Sequence, residues 1–196
     1  MVHRVVPDFL SLTSPRRGHF RLESGHHANL WLDLEGLFVQ PALVRPFVTR
    51  LGRALRPHKV AGVCGPLVGG AFLAQLLASA LKAEFFFTER MQPGEGDGLY
   101  QARYHLPPAA RVRGKRFAIV DDAISAGSAV RATYTELQGH GAEPVVIGAL
   151  LVLGSAASPY FAERGVPIEA VTRVPFDLWV PAECPLCASG QALTDA

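Results

Sequence analysis

The sequence predicts an α/β protein with an open parallel sheet of about five strands flanked by helices. From Lys59 onward, short runs rich in β-branched and aromatic residues alternate with longer amphipathic segments. The chain has 196 residues, of which 49% are hydrophobic and 18% charged, as in a single globular domain. This composition excludes disorder of the whole chain.

The predicted core sheet occupies residues 59–174. Each predicted strand is a β-rich run, and the helix that starts near Ser128 ends at the sequence "GHG", where glycine is a common helix stop. The strands are expected at 59–65, 83–88, 116–121, 143–153 and 167–174, and the helices at 67–82, 128–138 and 159–163.

Three further segments surround this core. In residues 1–38, "HFRLESGHHANLWLDLEGLF" alternates apolar and polar residues around a Ser-Gly turn, which predicts a small antiparallel hairpin that covers the carboxyl edge of the sheet as a hood. Residues 175–196 are expected to complete the hood as a tail. Between Arg90 and Arg116 lies a long connection with glycines at 94, 96 and 98, which predicts a flexible flap or β-ribbon.

The charge pattern favours a small-molecule partner. Lys plus Arg is 19 and Asp plus Glu is 17, a net charge of +2, without a long block of like charge to bind a nucleic-acid backbone. A nucleic-acid-binding module remains a weak alternative, based on a local basic patch at Arg111, Arg113, Lys115 and Arg116. The longest apolar runs are shorter than the roughly 20 residues that cross a bilayer, and the N-terminus does not resemble a signal peptide. We therefore expect no membrane partner and a cytoplasmic location.

The three cysteines are Cys64, Cys184 and Cys187. The C-x-x-C pair in "ECPLC" lacks a second pair, or neighbouring histidines, that a tetrahedral zinc site would need. The favoured interpretation is a reduced surface tail, and no protein metal site is predicted. The alternative is a dimer that brings two such pairs together around zinc.

The chemistry of the chain is expected at Asp121 and Asp122, which follow a run of apolar β-formers in "FAIVDDAISAGSA". Ligands of open parallel sheets bind beyond the carboxyl ends of the strands. Two carboxylates there can accept hydrogen bonds from the vicinal hydroxyls of a ribose. The next residues offer backbone N–H groups, serine hydroxyls and Gly127 at a helix N-terminus, which attracts a phosphate. The alternative is that the acids only end a strand and the serines only cap a helix.

The segment "AIVDDAISAGSAVR" resembles the phosphoribosyl-diphosphate (PRPP) signature of type I phosphoribosyltransferases. Four other segments are similar in order and spacing to orotate phosphoribosyltransferases: "FRLESGHHANLWLDLEGLF", "GVCGPLVGGAFLAQLLASAL", "FTER" followed by "GLYQARYHL", and "CPLCASGQAL". The resemblance implies a type I fold and a homodimer with shared active sites. It also implies a pentosyltransferase of pyrimidine biosynthesis that joins a base, orotate in the first place, to PRPP and releases diphosphate. Mg²⁺ would be carried by PRPP.

The resemblance also implies a role for each matching residue. Asp121 and Asp122 would bind the ribose hydroxyls, and with Arg103 they form the expected catalytic set. The 5′-phosphate would be held by Ser125, Ala126, Gly127, Ser128 and Ala129. The diphosphate would be held by Gly65, Pro66, Leu67, Val68, Gly69, Arg90 and Arg103, the last of which could reach the neighbouring subunit. The base would be held by Ser24, Gly25, His27 and Ser125.

The base half of the pattern departs from this family. Members that act on orotate usually carry a basic residue after the Ser-Gly of the hood, where this chain has His26 and His27, and an arginine where it has Gly154 and Ser155. An arginine–carboxylate pair is a strong bidentate contact, and its loss costs on the order of 2–5 kcal/mol. The flap contains a single lysine, Lys115, at its far end. The alternatives are therefore a transferase for another base, or a regulatory homologue that binds PRPP or a nucleotide without orotate turnover.

Overall fold

The computed structural model describes residues 9–91 and 99–195, so the flap glycines at 94, 96 and 98 lie outside the described residues. The described chain forms a six-stranded and a four-stranded sheet. No helix in these two ranges is both long enough and apolar enough to cross a membrane.

The six-stranded sheet forms the core, and its strand order is β5-β4-β3-β6-β7-β8. Strands β3, β4, β6, β7 and β8 run parallel, and only β5 is antiparallel, which confirms the predicted open parallel sheet. The strands are β3 (Gly62–Pro66), β4 (Glu84–Arg90), β5 (Tyr104–His105), β6 (Arg116–Ile124), β7 (Glu143–Leu153) and β8 (Ile168–Val174). The helices are α1 (Pro41–Leu55), α2 (Gly69–Leu81), α3 (Ser128–Gly139), α4 (Ser158–Ala162) and α5 (Pro185–Ala188).

Helices cover both faces of this sheet. Leu51 of α1 and Leu77 of α2 pack with Val120 in one buried cluster. Leu137 of α3 and Phe161 of α4 pack with the other face in a second cluster. Because both faces are covered, the central strands are apolar almost throughout rather than alternating, as in "VVIGALLVL" of β7.

Helix α1 and strand β6 differ from the sequence-based prediction. No helix is predicted for residues 41–55, although Val44, Val48, Leu51 and Leu55 recur at helical spacing and are buried. Strand β6 continues to Ile124 instead of ending at the first aspartate, because residues up to Ile124 keep pairing with β7.

The four-stranded sheet is the hood. Strands β1 (Ser14–Arg21) and β2 (His27–Asp33) form an antiparallel hairpin. The tail contributes a short strand on each side: β9 (Leu178–Trp179) pairs with β2, and β10 (Thr194–Asp195) pairs with β1. The two ends of the described chain therefore meet in one sheet above the core.

Candidate active site

A cavity of about 260 Å³ lies between the hood and the carboxyl end of β6. Its wall comes from the hood hairpin, from the end of β6, from the loop that leads into α3, from the last residue of β7 and from Phe176, which follows β8. The lining includes Glu23, Ser24, Trp31, Asp121, Ile124, Ser125, Gly127, Ser128, Ala129, Leu153 and Phe176. The structure thus brings the predicted sugar, phosphate and hood residues to one place.

The two aspartates lie against the start of α2. The N–H of Asp122 donates to Oδ1 of Asp121 (3.1 Å), and the N–H of Ala123 donates to Oδ1 of Asp122 (2.8 Å). A Cβ at Gly69 would overlap the Asp122 carboxylate, and one at Gly70 would stand 2.8 Å from Oδ1 of Asp121. Glycine is needed here because the backbone approaches the carboxylates too closely for a side chain.

The surroundings of the two aspartates disfavour their ionised forms. Burial raises the pKa of Asp121 well above its usual range, and the charges of Asp122 and Glu23 raise it further. Burial also raises the pKa of Asp122, whereas the hydrogen bond that its carboxylate accepts from the Ala123 N–H lowers it. A ligand that donates hydroxyl hydrogens to the pair would therefore stabilise its ionised form.

The loop after β6 ends in an open helix N-terminus. Gly127 precedes the helix with φ of +80°, in the left-handed region where glycine carries no Cβ penalty. The N–H groups of the first turn of α3 have no partner within the helix, and the positive end of the helix dipole lies there. Since Ser125, Ser128 and Ala129 line the cavity at this point, it is suited to an anion such as a phosphate.

Glu23 of the hood already places a carboxylate near this helix end, and it is not among the site residues predicted from the sequence. Its oxygens accept hydrogen bonds from the hydroxyls of Ser128 (2.8 Å) and Tyr104 (2.8 Å), and one lies 3.2 Å from Nε of Arg90. Burial and the Glu23 charge raise the pKa of Tyr104, so its phenol stays protonated and donates. Nothing in the local pattern "LESG" separates this glutamate from a surface charge, so only the fold reveals its position.

The hood turn presents Ser24 to the cavity. The N–H of Gly25 donates to the carbonyl of Leu22 (2.8 Å), and the φ of Gly25 is +80°. Ser24 is buried and its hydroxyl lies 3.1 Å from Nδ1 of His26. Burial lowers the pKa of His26, a hydrogen bond with the Ser24 backbone opposes this shift, and the charge of Arg131 lowers the pKa further. This shift favours the neutral form of His26 near pH 7.

The predicted diphosphate residues are divided between two places. Gly65 and Pro66 end β3, Leu67 and Val68 are exposed beside them, and Gly69 begins α2 next to the aspartates. Arg90 ends β4 beside Glu23. Arg103 lies elsewhere, in a second cavity of about 500 Å³ that also contains Tyr100 and Arg131. Its expected contact with diphosphate stays a prediction.

His27 requires a correction, because the structure does not bring it to the cavity. It is 5% exposed, and its Nδ1 lies 3.0 Å from Nε2 of His19 and 3.3 Å from Sγ of Cys187. The expected surface tail also needs correction, because Cys184 is only 3% exposed. The histidines that the C-x-x-C pair lacked in the sequence are supplied by the hood hairpin, more than 150 residues away.

Comparison with known proteins agrees with this geometry. The family model "Phosphoribosyl transferase domain" matches residues 55–180, so the chain belongs to the phosphoribosyl transferase family. Within that family, it is 30% identical to the orotate phosphoribosyltransferase of Carboxydothermus hydrogenoformans over 184 residues, which are 93% of this chain and 90% of the relative. The predicted resemblance is thereby confirmed, and the enzyme class is that of a pentosyltransferase.

Solved structures share the fold. The orotate phosphoribosyltransferase of Aeropyrum pernix superposes with a TM-score of 0.64 at 20% identity, covering 84% of this chain and 89% of that one. The adenine phosphoribosyltransferase of Thermoanaerobacter pseudethanolicus superposes with a TM-score of 0.61 at 18% identity, covering 74% and 88%. Since transferases for different bases match about equally well, the fold alone does not select the base.

Proposed function

We propose that this protein transfers the 5-phosphoribosyl group of PRPP to orotate, forming orotidine 5′-monophosphate and releasing diphosphate. The observation that carries the proposal is the shared cavity of Asp121, the N-terminus of α3 and Ser24. An acidic strand end beside an anion-binding helix end matches a phosphorylated pentose. The hood then encloses the space where a base would meet it.

Within this proposal the sugar and its phosphate are held by one segment. The ribose hydroxyls donate to Asp121 and Asp122, and the 5′-phosphate accepts from the N–H groups of residues 125–129 and from the Ser128 hydroxyl. The phosphate must take the Ser128 hydroxyl from Glu23, which accepts it in this structure at 2.8 Å. Substrate binding thus rearranges the contact between hood and core.

The diphosphate would lie over the loop of residues 65–69, with Arg90 as a nearby cation. Carboxylate oxygens are ligands that Mg²⁺ prefers, so the aspartate pair fits an ion that arrives with PRPP. When bound, that ion offsets the negative charge of the departing diphosphate. As the C1–diphosphate bond loosens, the two ionised carboxylates stabilise the positive charge that develops on the sugar.

The base subsite rests on fewer charged groups. Gly154 and Ser155 offer no guanidinium, but Arg131 lies beside this segment and its Nη2 donates to the carbonyl of Ala156 (2.9 Å). Its Nε is buried without a hydrogen-bond partner among the described residues. Arg131 lines the second cavity and not the cavity that contains Ser24, so no arginine or lysine lines the proposed base subsite among the described residues.

A base panel tests the proposal. Protein, PRPP and Mg²⁺ are mixed with orotate, uracil or adenine, and released diphosphate is measured. We expect release with orotate, and a loss on the order of 10²-fold or more in Asp122→Asn. Asp33→Asn is the matched control, because Asp33 lies at the end of β2 and does not line the cavity.

The outcomes separate the remaining alternatives. Release with another base only would reassign the base. PRPP binding by calorimetry without release from any base would favour a regulatory protein. The absence of both binding and release would overturn the proposal.

We further propose a homodimer. Its support is a set of exposed apolar side chains near the start of α1 and α2: Val39 is 77% exposed, Phe72 47% and Leu43 39%. Sedimentation of the purified protein tests it, and a monomer at micromolar concentration would contradict it. The cytoplasmic location expected from the sequence stays a prediction.

A further inference from the structure

We propose that His19, His27, Cys184 and Cys187 form a zinc site that fastens the C-terminal tail to the hood. The four residues contribute one ligand atom each, and these atoms all lie within 4.8 Å of one another. They come from β1, from β2 and from the turn that opens α5. The site is separate from the cavity that holds the aspartates.

The distances fit a tetrahedral ion. Zinc binds imidazole nitrogen at about 2.0–2.1 Å and thiolate sulfur at about 2.3 Å, so tetrahedral ligand atoms stand roughly 3.3 Å (N–N), 3.5 Å (N–S) and 3.8 Å (S–S) apart. The observed separation is 3.0 Å between Nε2 of His19 and Nδ1 of His27. Sγ of Cys184 lies 3.4 Å from Nε2 of His19, and Sγ of Cys187 lies 3.7 Å from it and 3.3 Å from Nδ1 of His27.

A second contact orients the His19 ligand. Nδ1 of His19 lies 2.9 Å from the backbone carbonyl of Gln191, which can only accept, so Nδ1 carries the proton and Nε2 presents its lone pair to the cluster. Metal-binding histidines usually make this kind of second contact with the other ring nitrogen. The acceptor belongs to the tail, so the tail both supplies the thiols and orients the imidazole.

Hydrogen bonds alone do not account for the cluster. Three potential donors, His27 and the two cysteines, converge on the single lone pair of His19 Nε2 at 3.0–3.7 Å. One lone pair accepts one good hydrogen bond, whereas a cation at the centre engages all four ligand atoms together. Two thiolates and two imidazoles favour zinc over the harder magnesium ion.

The surroundings also suit a structural zinc ion. His19 and Cys184 are 2% and 3% exposed, so most of the cluster is shielded from water. Cys187 is exposed and leaves a path for the metal. Cys184 and Cys187, three positions apart, lie on the same side of one helical turn, as in known C-x-x-C zinc ligands.

Bound zinc would link the C-terminal tail to the hood, two parts of the fold that are distant in the sequence. The tail pairs with the hood sheet through the two-residue strands β9 and β10, and such short strands hold weakly by themselves. His27 pairs with Trp179 of β9 and directly follows the Ser24–His26 turn at the cavity. Zinc would therefore hold the tail on the hood and restrict the motion of the Ser24–His26 turn at the proposed base subsite.

The test measures zinc by mass spectrometry in protein purified under reducing conditions without chelators. We expect about one zinc ion per chain. The variants Cys184→Ser, Cys187→Ser and His19→Gln should lose it, whereas Cys64→Ala and His140→Gln, whose residues lie outside the cluster, should keep it. Removing zinc from the wild-type protein should lower its melting temperature, and adding zinc back should restore it.

A second measurement uses only the wild-type protein, so it does not depend on whether the variants fold. Cobalt exchanged into the wild-type protein should give the visible absorption of a tetrahedral ion and a thiolate charge-transfer band, and zinc should displace both. A wild-type protein that takes up neither metal would overturn the proposal. So would a disulfide between Cys184 and Cys187 under reducing conditions, or one ion per two chains that survives His19→Gln. None of these readouts depends on transferase activity.

Discussion

Glu23→Gln is expected to tighten PRPP binding, because it removes a carboxylate that occupies groups the substrate needs. In this structure Glu23 accepts the hydroxyl of Ser128 at 2.8 Å and lies 3.2 Å from Nε of Arg90. Both residues belong to the proposed phosphate and diphosphate subsites. Both contacts of Glu23 must therefore break before PRPP binds.

The size of the effect follows from these contacts. A hydrogen bond to a charged acceptor contributes about 1.5–3 kcal/mol, and a neutral one about 0.5–1.5 kcal/mol. Gln still accepts a neutral hydrogen bond from Ser128. Breaking this bond when PRPP binds therefore costs the variant roughly 1–1.5 kcal/mol less than it costs the wild type. The half-exposed ion pair with Arg90 adds about 0–1 kcal/mol. The dissociation constant for PRPP should then fall about tenfold.

Isothermal calorimetry with PRPP and Mg²⁺ measures this constant directly. Glu89→Gln is the matched control, because this glutamate is on the same strand as Arg90 but pairs with His105 at 3.2 Å. The control should bind PRPP as the wild type does. An unchanged or weaker affinity in Glu23→Gln would refute the idea that the hood carboxylate competes with the substrate phosphate.

Two further predictions concern the aspartate pair. Gly69→Ala should lower kcat/KM by at least tenfold, because the new Cβ would overlap the neighbouring carboxylate and displace it; steady-state kinetics measure this. Asp121→Asn should raise the melting temperature at neutral pH while turnover is lost. The raised pKa of this aspartate means that its contribution to stability is complete below its unfolded-state pKa, about 3.9, and is lost as the pH rises through the folded-state value. Asn does not ionise and escapes that loss.

Each of these predictions has its own control. Gly139→Ala adds a methyl group where no atom lies within 4 Å apart from its chain neighbours and the backbone of its own helix, so it should leave the kinetics intact. An equally active Gly69→Ala would contradict the steric argument. For Asp121→Asn, melting curves are recorded from about pH 4 to pH 8. The gain over wild type should shrink toward the acid end, and a gain that is constant with pH would show that charge is not its cause.

The sequence determined the core sheet and the chemistry at its edge. Runs such as "EPVVIGALLVL" are apolar for their whole length because both faces of the strand are covered, and the structure has a strand at the predicted residues 143–153. The placement of Asp121, Gly127 and Ser128 also followed from local pattern. Such features are local, since a strand, a turn and a helix start are encoded by consecutive residues.

Only the tertiary structure decided which distant residues meet. Glu23 reaches Ser128 across 105 positions, and Cys184 reaches His19 across 165, and no periodicity in the chain marks either pair. The sequence likewise placed His27 at the base, whereas strand pairing turned it toward the tail. Local pattern and the turn specify the register of the hairpin, but which distant segment packs against each of its faces depends on contacts that neighbouring residues do not encode.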